Sequence, residues 1–179
     1  MTPTLAGRLQ TRLVLLSSIG LLWTIAVSPF LPHPQHMLIR IVYQITLQTS
    51  IAMTILGIAW EFVYHGLQQL RWDKDWPSML GLLTGAVEAV PVWLVLHALH
   101  LVPGDRGFSS PILPLYATHF GTTWLVVWLV GQGPIRVIQP RWRFEGGAFS
   151  RRPTDAIMAF IVTNIGMVFS LVLLWLAHR

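Results

Sequence analysis

The sequence contains no cysteine, which excludes disulfides, thiolate metal sites, iron–sulfur clusters and cysteine nucleophiles together. Charge is scarce as well. Only 11% of the 179 residues are Asp, Glu, Lys or Arg, and seven of them are acidic. A soluble domain carries about twice that charged fraction, so an ordinary water-facing surface is excluded too. Recognisable catalytic signatures are missing: there is no Gly-x-Ser-x-Gly elbow, phosphate-binding loop, dinucleotide fingerprint or His-Glu-x-x-His pair. Nor is there an internal repeat, a heptad array or a low-complexity segment.

What is present is apolar. Hydrophobic residues make up 54% of the chain, and the mean hydropathy is +0.60. The apolar residues fall into five stretches, at about residues 9–31, 37–64, 78–101, 112–131 and 154–177. Each approaches or exceeds the roughly 20 residues that a hydrocarbon core about 30 Å thick requires. The second is longer than that and predicts tilt or protrusion. The expected fold is therefore all-α, a single membrane domain of five transmembrane helices. The basic run Arg8 to Arg12 before the first stretch resembles the start of a signal peptide. The segment around Thr24-Ile25-Ala26 makes a poor cleavage site, however, and an uncleaved first span is expected.

Basic residues sort by side. With the N-terminus in the cytoplasm, Arg8, Arg12, Arg71, Lys74, Arg136, Arg141, Arg143, Arg151 and Arg152 fall inside, and only Arg40, Arg106 and Arg179 outside. This is the positive-inside pattern of a multi-pass protein of the cell (plasma) membrane, with its C-terminus outside. The net charge of +5 lies in short loops beside the spans, which points to anionic lipid headgroups rather than nucleic acid. The nine tryptophans suit interfacial anchoring.

The connection 132–153 is the longest and most basic. Arg136, Arg141, Trp142, Arg143, Arg151 and Arg152 make it a candidate surface for lipid or a partner protein. Its alternation around Gly146-Gly147 predicts a short β-hairpin that sets Phe144 opposite Phe149.

Within the spans, Glu88 is the principal polar candidate, because an ionised carboxylate near mid-membrane is costly without partners. It shares a helical face with Gly81 and Gly85, a spacing that admits another helix closely. Pro91, three residues on, frees the carbonyl of Val87. Counting depth along each span predicts a polar layer of Glu88, Asn164, Thr54 and Thr123, with Thr122 at a similar level. A second set, His36, Arg40, Gln44 and Gln48, steps by four along one stripe and suggests a wet cleft or contact with neighbouring helices. Glu61 and His65 are expected to pair at the interface. Regular spans would separate Glu61 and Glu88 by roughly 10 Å in depth.

Six of the seven histidines fall in the outer half. Among them His97, His100 and His119 are candidate ligands for a metal or a haem, although their spacing is not diagnostic and no cofactor is favoured. The leading functional expectation is a non-catalytic membrane subunit that assembles or stabilises a larger complex with other membrane proteins. Two alternatives stand beside it: a small carrier or channel using Glu88 and the Gln44/Gln48 stripe, and a redox protein holding haem or metal through the outer histidines.

Overall fold

The computed structural model describes residues 3–102 and 107–150. Among them the regular structure is all helix, without strands, and four helices are long and apolar enough to cross a membrane. The expected fifth span, 154–177, lies outside the described residues.

The first helix, α1, covers Leu5–Phe30. It starts four residues earlier than hydropathy suggests because Thr4 caps it: the Thr4 hydroxyl accepts a hydrogen bond from the Gly7 amide at 3.0 Å. Arg8 and Arg12 thus enter the helix instead of preceding it. Midway, Leu16–Gly20 forms one π-helical turn. The Ser17 and Ser18 hydroxyls both bond back to carbonyls one turn earlier, at Leu13 and Val14. Such back-bonding competes with the regular ladder and favours local distortion. In a regular helix Arg12 and Thr24 would point about 120° apart. The wider π turn brings them toward one face, and both are buried.

Helix α2, Ile39–Leu70, runs six residues past its expected end. Gln68 sustains this polar extension. It is buried, and its amide nitrogen donates to the carbonyls of Pro3 (3.1 Å) and Lys74 (2.8 Å). Helix α3, Ser78–Ala98, tolerates Pro91 internally. The Tyr116 hydroxyl donates to the nearby Ala89 carbonyl at 2.5 Å. Helix α4 covers Leu113–Gln132, followed by two single turns, α5 (Pro134–Ile138) and α6 (Pro140–Phe144).

The helix α6 overturns the expected hairpin, since residues 140–144 are helical and no strand occurs among the described residues. Gly146 and Gly147 do adopt positive φ, which glycine takes without a Cβ penalty. The turn they form returns the chain onto α1. Thr4 N–H donates to Gly146 O, Thr11 Oγ1 to Gly147 O, and the Gln10 side chain binds the backbone of both Phe149 and Ser150. A helix start offers unpaired side-chain and backbone groups that a hairpin in water lacks.

The four long helices pack with α1 against α2 and α4, α2 against α3, and α3 against α4. Their shared core includes Val42, Ile45, Met53, Trp93, Leu115 and Phe120. Leu83, Val87, Val90 and Leu94 on α3, and Ile55 and Phe62 on α2, face outward, as lipid-facing positions do.

Candidate functional site

The start of α1, the end of α2, the start of α3 and the end of α4 meet at one end of the bundle. Two guanidiniums and two carboxylates are gathered there. Arg12 is the hub: Nε donates to Glu61 Oε1 at 2.9 Å, Nη1 to Glu88 Oε2 at 2.6 Å and Nη2 to Glu88 Oε1 at 2.7 Å. Arg8 donates from Nη1 to Glu61 Oε2 at 3.4 Å, and from Nε and Nη2 to Gln68 Oε1 at 3.1 and 2.8 Å. Two tryptophans cover the cations. Trp76 lies 4.6 Å from Arg8 and Trp124 5.2 Å from Arg12, measured to the ring centres. The four charges sum to zero, which suits a low-dielectric surrounding where an unpaired ion costs several kcal/mol.

Glycine makes the cluster possible. A Cβ on Gly57 would fall 1.8 Å from Arg12 Nη1, and one on Gly85 would fall 2.3 Å from the Trp124 ring. Gly81 and Gly85 therefore receive the tryptophans of α4 and not the backbone of another helix. Trp124 Nε1 donates to Leu82 O, and Trp128 Nε1 to Ser78 O. The Tyr64 hydroxyl lies beside Glu88 without completing a hydrogen bond.

These contacts revise the expected polar layer. Glu88 is indeed turned into the bundle, at 1% exposure, but its partner is Arg12. Thr54 donates instead to Ser50 O, Thr122 to Thr118 O, and the buried Thr123 hydroxyl has no partner among the described residues. Asn164 lies outside the described residues. Glu61 does not pair with His65, whose ring lies 3.5 Å from the Gln69 amide. Nor are Glu61 and Glu88 apart in depth. With α2 extended to Leu70, Glu61 stands nine residues from that end and Glu88 ten from Ser78, so one guanidinium spans both.

A second polar group ties α1, α2 and α4 together further along. Thr24 Oγ1 lies 2.9 Å from Ser50 Oγ and 3.0 Å from His119 Nε2, and Ser28 Oγ lies 2.8 Å from Thr46 Oγ1. His119, a candidate metal ligand, is thus engaged with a hydroxyl. His97 packs on Trp93 at 4.1 Å between ring centres, and His100 is exposed at the end of α3. No group of three such side chains placed to hold a metal occurs among the described residues. Along the stripe of α2 Arg40 is half-buried, Gln44 exposed and Gln48 half-buried, and Gln48 Oε1 is itself buried without a partner among the described residues.

On the connection, Trp142 is buried and donates to Thr11 Oγ1 at 2.7 Å. It is held inside the bundle and not displayed on a loop surface. Arg136 bonds Gln132 and lies 6.0 Å from the Trp142 ring. Arg151 and Arg152 lie outside the described residues, as do the side chains of Arg141 and Arg143.

Sequence reasoning missed Arg8, Arg12, Glu61, Tyr64 and Gln68 as members of the site. A signal was present: Gly57, Glu61, Tyr64 and Gln68 step by four, three and four along one face of α2. No protein-family model matches the chain, and neither a curated protein nor a solved structure is significantly similar to it.

Proposed function

We propose that the chain is a non-catalytic subunit of a larger membrane assembly, embedded in the cell membrane with the 132–153 connection on the cytoplasmic side. The observation that carries this reading is Gln44, an amide exposed on α2, with the half-buried Gln48 one turn further along. Amide side chains at membrane depth need hydrogen-bond partners, and lipid tails supply none. A polar side chain on a neighbouring membrane protein satisfies them. The charge cluster supports the same reading against transport. Both oxygens of Glu88 are held by Arg12, which leaves that carboxylate tied into helix packing and poorly suited to exchanging an ion.

The test is purification from native membranes in mild detergent, with identification of co-purifying proteins. A defined membrane partner is expected, and the double substitution Gln44→Leu/Gln48→Leu should remove it while preserving the thermal transition of the chain. Partner recovery that is unaffected by the double substitution would sink the reading.

A further inference from the structure

A cavity of about 180 Å³ opens beside the charge cluster, at the end of the bundle where α5 and α6 fold back. Its wall includes Arg8, Arg12 and Arg136, with Trp76, Trp128 and Trp142 around them, and Leu15, Leu16 and Val127 supply apolar surface. The charges on this wall do not balance. Arg8 and Arg12 are matched by Glu61 and Glu88, whereas Arg136 makes no ion pair among the described residues. Its one hydrogen bond goes to the Gln132 amide, and its Nε is buried without a partner. Of the five N–H groups on a guanidinium, four remain unused on Arg136 and two on Arg8. A half-buried surplus cation with a buried, unpartnered Nε and free forked donors is suited to taking an anion.

We infer that this cavity binds a phosphate-bearing anion, taken between the Arg136 and Arg8 guanidiniums, with an attached apolar chain along Leu15, Leu16 and Val127. Phosphate oxygens match the forked N–H geometry of arginine. The cavity is well beyond the size needed for a single water, which leaves room for a headgroup. The position at the helix ends is that of membrane headgroups, so a phospholipid is the simplest source. A soluble phosphate compound offers the same chemistry.

The site is independent of the Gln44–Gln48 surface, and its test does not require a protein partner. Full-length protein in neutral detergent is titrated with phosphatidic acid, phosphatidylcholine and inorganic phosphate, following the fluorescence of the cavity tryptophans. Saturable binding of phosphatidic acid at least tenfold tighter than of phosphatidylcholine is expected. Arg136→Gln should weaken it about tenfold, the effect of one charge-assisted hydrogen bond. Arg71→Gln, at the same end but outside the cavity, should leave it unchanged. Inorganic phosphate binding as tightly as phosphatidic acid would support the anion site and assign its occupant to the soluble source. Equal affinity for the two lipids without phosphate binding, or full affinity in a folded Arg136→Gln protein, would overturn the inference. If that variant fails to fold, Arg136→Lys decides: it retains charge without the fork, and undiminished binding would likewise overturn forked recognition.

Discussion

Arg12 holds three of the four long helices through three charge-assisted hydrogen bonds. Its value lies in the carboxylates it neutralises, because removing one partner of a buried pair leaves the other ion exposed to a low dielectric. Arg12→Met should therefore destabilise the bundle by about 3–5 kcal/mol, seen as a large drop in the thermal transition in detergent. Adding Glu88→Gln to that variant should recover much of the loss, since Glu61 keeps Arg8 as its partner and the remaining charges again sum to zero. If Arg12→Met alone proves harmless, the cluster does not hold the helices together. Gly57→Ala acts on the same contact from the other side, and the added Cβ displaces the guanidinium from Glu61 or Glu88. Glu88 as a buried polar residue was legible in the sequence, because a lone carboxylate in an apolar run must turn inward. Its partner was not legible, since Arg12 looks like a flanking cytoplasmic charge until Thr4 is seen to start the helix before it.

Among the elements, the π turn at Leu16–Gly20 decides which faces α1 presents. Inserting one alanine between Gly20 and Leu21 would rotate Arg8 and Arg12 by about 100° relative to Thr24 and Ser28. One of the two polar groups must then lose its partners. Loss of the monodisperse species in size-exclusion chromatography is the expected outcome, and an unchanged elution profile would count against this role. Gln10 secures the end of the fold-back segment to α1, beside the contacts of Thr4, Thr11 and Trp142. Gln10→Ala removes its three hydrogen bonds to residues 149 and 150, a loss of about 1–2 kcal/mol in local protection. Limited trypsin digestion at Arg141 and Arg143 should accelerate about tenfold, and an unchanged rate would show that other contacts hold the segment. The existence of each long helix was readable from hydropathy, whereas their ends were off by up to six residues. Capping by Thr4 and the buried hydrogen bonds of Gln68 set those ends, and neither registers as apolar character.

For the whole molecule, the described chain is a four-helix membrane bundle whose charged groups are concentrated at one end. The absence of cysteine makes its orientation directly measurable, since any introduced thiol is unique. Phe144→Cys and Leu38→Cys place exposed thiols at opposite ends. A membrane-impermeant maleimide should label the Leu38→Cys protein in intact cells and the Phe144→Cys protein only in inverted vesicles. The reverse pattern would invert the proposed topology. The assembly reading and the phosphate cavity concern different surfaces, so each can fail alone.

Composition by itself determined that this is a helical protein suited to a membrane, with Glu88 turned inward. Both conclusions follow from the cost of placing polar groups in hydrocarbon, which each segment meets or fails locally. Tertiary structure alone decided that Glu88 meets Arg12 instead of threonines, that Glu61 shares the same guanidinium, and that the glycines of α3 admit tryptophan rings. Those outcomes depend on where helices begin, how far one π turn rotates a face, and which side chains fit the remaining space. Such quantities are fixed only when the helices pack.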